Sequence, residues 1–126
     1  MRGKSTVNRG DIFRVNLEPA RGSEMNKKRP CLVVSNDTAN KYSRVVAVVA
    51  LTTTAPRKTY PFIVEVPASA KMPMPSWIDC AHIRSVDRER LSKYLTSLDA
   101  ATMRAVEKAL SIQLGLAARE DQRMAG

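Results

Sequence analysis

The apolar residues of this chain come in short runs, such as 31–34 and 45–51, and turn-forming residues break every one of them. Helical spacing occurs once, near the C-terminus. A chain with that pattern has no room for helices between its strands, which excludes a doubly wound nucleotide-binding fold. The strands read from the N-terminus as follows. After a polar arm at 1–10, Phe13, Val15 and Leu17 alternate with Arg14 and Asn16, predicting a half-buried strand over 11–17. Buried strands are predicted at 30–36 and 44–51, with a turn or single helical turn at Asp37-Thr38-Ala39-Asn40 between them. Shorter strands are predicted at 60–66, 76–81, 83–87 and 92–95. Three exposed loops separate them, at 18–29, 52–59 and 67–75. Asp99 is an N-cap, Leu98 and Met103 stand at hydrophobic-staple positions, and Met103, Val106, Leu110 and Leu114 recur at helical spacing up to Gly115. Six or seven short strands closed by one amphipathic helix predict a mainly β, α+β domain: a strongly bent sheet or partly open barrel with a capping helix.

One such core suffices for 126 residues, so a single domain is expected: arm 1–10, barrel 11–95, helix 99–116 and a frayed tail 117–126. No apolar run approaches membrane-spanning length, and Met1-Arg2-Gly3-Lys4-Ser5 leads into no secretory segment, so a cytoplasmic protein is expected. Cys31 and Cys80 sit inside apolar runs without metal-ligand spacing and read as buried, reduced thiols.

The net charge of +9 is unevenly placed. Residues 1–60 hold 12 basic and 4 acidic side chains, whereas 61–126 hold 9 and 8. A cationic half on a small domain attracts polyanions, with nucleic acid ahead of membrane, because the C-terminal amphipathic segment has no basic polar face. Zincin, phosphate-loop and serine-hydrolase motifs are missing, and the scattered carboxylates do not suggest a two-metal nuclease. Cleavage of nucleic acid without metal is open to RNA, whose own 2′-hydroxyl can attack phosphorus while the protein moves protons and neutralises charge. Two loops offer such groups. Lys27-Lys28-Arg29 precedes Pro30, whose ring holds Arg29 extended, and the Arg29 guanidinium can grip two phosphate oxygens where a lysine cannot. Thr52 follows the buried 45–51 run, where a hydroxyl can be fixed by the sheet yet face solvent. It can equally be a turn threonine bonded to its own backbone.

The order of these pieces is distinctive. Arg9-Gly10-Asp11, then Gly22-Ser23-Glu24 followed after four residues by Arg29-Pro30, then Ala50-Leu51-Thr52, then Ile83-Arg84-Ser85-Val86-Asp87 and a final helix together resemble the MazF/PemK family from Arg9 to Gly115. The resemblance implies an SH3-like, PemK/CcdB-type barrel and a homodimer. It also implies a toxin of a toxin–antitoxin pair that cleaves single-stranded mRNA without metal or other cofactor, leaving 2′,3′-cyclic phosphate and 5′-hydroxyl ends. Carried over residue by residue, the catalytic positions are Arg29 and Thr52. RNA contacts are expected from Ser23, Glu24, Lys27 and Lys28, from Thr53, Arg57 and Lys58, and from Arg84. The implied antitoxin would lay an acidic, disordered tail over the cationic half. Met25-Asn26-Lys27-Lys28 departs from the glycines of many members, and His82 stands where glutamine is more usual, so His82 is read as structural rather than as a general base. Trp77 is read as a core residue beside an ordinary loop, with base stacking or a dimer contact as alternatives. Two other readings stay open: a gyrase poison of the same architecture, and a nucleic-acid-binding module without catalysis.

Overall fold

The computed structural model describes residues 6–17 and 28–116. They form one antiparallel sheet of six strands: β1 (Asp11–Asn16), β2 (Lys28–Val33), β3 (Val45–Thr52), β4 (Ile63–Glu65), β5 (Trp77–Asp87) and β6 (Leu91–Ser97), in the order β4-β5-β3-β2-β1-β6. Helix α1 (Asp37–Tyr42) joins β2 to β3, and α2 (Ala100–Leu114) follows β6. The mainly β fold with one C-terminal amphipathic helix agrees with the expectation, and β4 and β6 leave the sheet open.

Alternation along the strands sorts the buried residues onto two faces. Ile12, Leu32, Val49, Leu51, Ile78 and Cys80 pack with Met103, Val106 and Ala109 of α2. Phe13, Val15, Cys31, Val33, Val46, Val48, Val86 and Leu91 form a second cluster on the opposite face. Because β3 contributes to both, it is buried on each side, which explains its unbroken apolar sequence.

Arg9-Gly10-Asp11 works as a knot. The buried Asp11 carboxylate accepts from the Asn8 amide at 2.9 Å and from the Ser97 hydroxyl at 2.7 Å, joining the arm to the end of β6. Gly10 has φ +99°, a region costly for any side chain, while its amide donates to Val33 O and its carbonyl accepts from Leu98 N. Arg9 donates to Val34 O at 3.0 Å and to Glu107 of α2 at 2.8 Å.

Several predicted boundaries move, for reasons that lie in pairing. The strand expected at 30–36 begins at Lys28 and ends at Val33, because Lys28 and Arg29 pair with Asn16 and Val15. The segments 76–81 and 83–87 are one strand: opposite Val49 and Ala50 the partner jumps from Ile83 to Asp79, so Cys80, Ala81 and His82 form a bulge rather than a break. The 60–66 strand shrinks to Ile63–Glu65, the first strand stops at Asn16, and the 92–95 strand extends to Leu91–Ser97. In α2, Asp99 caps the N-terminus through Thr102 N at 2.8 Å and Gly115 closes the C-terminus at φ +70°. The apolar stripe includes Ala109 and ends at Leu110, since Leu114 is exposed. The expected frayed tail at 117–126 and most of the expected loop at 18–29 lie outside the described residues.

Val106 of α2 packs in the cluster between helix and sheet and has no exposed surface. Val106→Ala should cost about 2 kcal/mol, from the lost methyl burial plus the cavity left behind. A urea titration should show a lower midpoint with an unchanged slope.

Candidate active site

Arg29 and Thr52 meet because of strand register. Cys31 pairs with Ala50 across β2 and β3, so extending the ladder two residues sets Arg29 opposite Thr52. Both side chains then leave the same face, since residues two apart on a strand point alike. The β2–β3 pairing itself stops at Cys31, next to Pro30, which has no N–H to give. The Leu51 carbonyl accepts instead from Arg29 Nη2 at 3.0 Å. That bond uses one of the five guanidinium N–H donors and fixes the plane of the fork. On its other side Arg29 is anchored by its pairing with Val15.

Thr52 ends β3 half-buried, and its Oγ1 accepts from the Thr54 amide at 3.1 Å. The turn-forming role and the functional one coincide: a hydroxyl held by accepting one N–H still has its own proton to donate. Around the pair lies an open cleft of about 350 Å³ lined by Arg14, Lys28, Arg29, Pro30, Leu51, Thr52, Thr53, Thr54 and Ser76. It sits where the β2–β3 ladder ends and collects side chains from both faces of the sheet. Three cations and three threonine hydroxyls therefore surround one space, a composition suited to holding a phosphate and the charge that develops on it.

Of the residues singled out from sequence, Lys28, Arg29, Thr52 and Thr53 line this cleft. Arg57 is exposed and lines neither this cleft nor its neighbour, and Lys58 belongs to the adjoining cleft with Tyr60 and Trp77. Arg84 of β5 pairs with Val48 of β3, farther along the same face. Ser23, Glu24 and Lys27 lie outside the described residues. Arg14, Thr54 and Ser76 were missed. Arg14 reads in sequence as the solvent side of an alternating strand, and its place becomes visible only through its pairing with Pro30. His82 is exposed on the β5 bulge, with Nε2 3.5 Å from Asp79 Oδ2, and does not line the cleft. Trp77 is half-buried at a cleft wall and not in the core, because it pairs with Thr52 at the open end of the sheet.

Residues 8–114 match the model of the PemK-like, MazF-like toxins of type II toxin–antitoxin systems. The chain belongs to that family. It is 39% identical to the endoribonuclease MazF of Staphylococcus epidermidis over 111 residues, which cover 87% of this chain and 92% of the relative. A mycobacterial endoribonuclease solved in complex with its cognate antitoxin superimposes with a TM-score of 0.75 at 30% identity, over 89% of this chain and 98% of that one. MazF from Deinococcus radiodurans superimposes with a TM-score of 0.73 at 28% identity, over 89% and 99%.

Behind Arg29 on the same face stands Cys31, buried and unpaired, as is Cys80 on β5. Burial pushes the Cys31 thiol up to about 12 against the opposing pull of the Arg29 and Arg84 charges, and burial aided by Asp79 pushes Cys80 up to about 11. An acid whose pKa is raised by folding stays protonated in the folded toxin after it ionises in the unfolded chain. The stability that both thiols support is complete below their ordinary value of 9.0 and is lost as pH rises from there toward about 11 to 12. Thiol titration with a disulfide reagent at pH 8 should therefore proceed only at the rate of unfolding. The denaturation midpoint should fall from pH 9 to pH 11 in the native toxin and less steeply in the Cys31→Ala/Cys80→Ala variant.

Proposed function

We infer that this chain, by family an endoribonuclease toxin of a toxin–antitoxin system, cleaves single-stranded mRNA at the phosphate held between Arg29 and Thr52. The observation that carries the reading is the alignment of those two side chains at the end of the β2–β3 ladder, each fixed by a hydrogen bond to the backbone of the 51–54 segment. The 2′-oxygen attacks phosphorus, its proton leaves, the bond to the 5′-oxygen breaks and that oxygen gains a proton. The products carry a 2′,3′-cyclic phosphate and a 5′-hydroxyl, and the step needs no metal. A guanidinium holds its proton too tightly to serve as a base at neutral pH. Arg29 therefore acts by stabilising the charge on the five-coordinate phosphorus, and Thr52 by donating its hydroxyl proton to the same phosphate. Arg14 and Lys28 add charge from the cleft wall. Arg57, Lys58 and Arg84, with Ser23, Glu24 and Lys27 of the first loop, guide the strand on either side.

The test is cleavage of a single-stranded RNA in excess chelator, with the product ends identified. Cyclic-phosphate ends are expected, whereas intact RNA with stalled gyrase, or binding without cleavage, would replace this reading with one of the other two. Arg29→Lys keeps the charge and loses the planar fork, so it should slow cleavage by about a hundredfold, and Thr52→Ala should do comparable harm. His82→Gln should retain most activity. Each variant must melt like the parent, so that the rate loss reports on chemistry. Normal cleavage by Arg29→Lys with a dead His82→Gln would move the centre to the histidine.

The reading extends to the toxin's partners. It is a cytoplasmic, single-domain protein that works as a homodimer, since two basic faces hold an extended RNA better than one. Among the described residues no helix is long and apolar enough to cross a membrane. Its antitoxin presents an acidic tail that occupies the cationic cleft and competes with RNA. Sedimentation should give twice the 14.0 kDa chain mass for the free toxin. The antitoxin tail should dissociate more readily as salt rises; inhibition unaffected by salt would rule out this mode of covering.

A further inference from the structure

A second cleft, of about 410 Å³, adjoins the first. The threonine turn joins them, with Thr54 lining one and Ala55 the other. Pro56, Lys58, Thr59, Tyr60, Glu65 and Trp77 contribute to its wall. Sheet register places the key groups in a single row. Glu65 pairs with Trp77, Trp77 pairs with Thr52, and Arg29 falls opposite Thr52 when the Cys31–Ala50 register is extended by two residues. Directly opposite residues in an antiparallel sheet share a face, and strands lie about 4.8 Å apart. The row therefore runs from the phosphate-binding pair to an aromatic face about 5 Å from Thr52, then to a carboxylate about 10 Å from it. Tyr60 is braced by Phe62, with ring centroids 5.3 Å apart, and carries Lys58 Nζ 5.6 Å from its own centroid.

We propose that this cleft is a nucleotide subsite, in which the base next to the scissile phosphate stacks on Trp77 and is selected by Glu65. The proposal rests on the cleavage reading above, because that reading fixes where the phosphate lies. From Arg29 and Thr52 the row leads one way to Val15, which is buried, and the other way to Trp77, which is not. A strand held at the phosphate thus has an open aromatic surface on one side. Stacking accepts any base, since each has a π-face, so Trp77 supplies affinity and little choice. Choice comes from Glu65. It is the one acidic side chain lining either cleft among the described residues, and a carboxylate beside RNA is repelled by the backbone unless a base gives it a donor. Cytosine, adenine and guanine offer amino groups, whereas the carbonyls flanking the uracil N–H repel a carboxylate. The subsite favours an amino-bearing base and rejects uracil.

Trp77 is the single tryptophan of the chain, so its fluorescence reports on the subsite directly. The probe is a short RNA built around a cleavage site of the parent toxin, with 2′-deoxyribose at the scissile nucleotide to block cleavage. Saturable quenching that tracks binding, measured independently by the anisotropy of a labelled RNA end, is expected. Trp77→Ala should lower kcat/KM by about five- to a hundredfold, the range for losing one stacked base, and Trp77→Phe should recover most of that loss. Glu65→Gln, which gains an N–H donor, should admit uracil at the neighbouring position and so narrow the preference for amino-bearing bases there. If the parent binds and cleaves RNA but fluorescence does not change, and both variants cut the same sites at the same rates, the subsite is wrong and the cleavage reading stands. If the parent neither binds nor cleaves, the cleavage reading falls first. A fluorescence shift that follows protein concentration without RNA would put Trp77 against a second copy of the chain and overturn the proposal.

Discussion

The pairing of Cys31 with Ala50 is the constraint on which the site depends. Each strand of that pair is buried on both faces: Leu32 and Val49 face the helix side, and Cys31, Val33 and Val48 face the other cluster. A slip of one residue in β2 would exchange its two sets of apolar side chains and turn Arg29 away from Thr52. The core fixes the register to protect its own packing, and the alignment of arginine and threonine follows without any direct contact between them being required.

What happens where the ladder ends is equally local in cause. Pro30 cannot donate to β3, the backbone pairing stops, and the Leu51 carbonyl becomes the acceptor that holds the Arg29 guanidinium. One residue further on, the chain turns, with Thr52 Oγ1 taking the Thr54 amide. Two small deviations from a regular sheet thus produce two side chains with reduced rotamer freedom at the end of one ladder. The bulge at 80–82 has a comparable effect on β5: it changes the register so that Asp79, and then Trp77 two residues before it, fall opposite Ala50 and Thr52.

Much of this was legible in the sequence where the signal is local. Alternation at 13–17, the cap at Asp99, the closing glycine at 115 and the apolar run leading to Thr52 each reflect neighbouring residues alone, and the structure places those elements within one or two residues. Arg29 stands out in the sequence through Pro30 yet reads as part of a loop, because its strand pairing with Val15 joins segments 14 residues apart along the chain and leaves no periodic trace. The 76–87 strand looked divided because polar and small residues in a bulge imitate a turn. Trp77 looked like core because large aromatics usually are. Its position at the mouth of the sheet depends on the register of β3 with β5, which no single segment encodes. Arg14 escaped for the same reason: its role arises from what lies across the strand.

Positive charge at the end of a sheet raises a physical question, since Arg14, Lys28 and Arg29 repel one another across the same cleft. Water screens them while the cleft is open, and a bound polyanion removes both the repulsion and the water. The fold has already met the other main cost, that of orienting the groups, through the Leu51 carbonyl and the strand pairings of Arg29. A phosphate entering the cleft therefore meets donors that need little rearrangement, which is the condition for interactions that strengthen as charge accumulates on the reacting oxygens. The same arrangement makes the cleft attractive to any acidic chain long enough to lie along it. On the proposed reading, catalytic readiness and susceptibility to an acidic inhibitor are two consequences of one charge distribution, and a substitution that weakens the clustered cations should reduce both together.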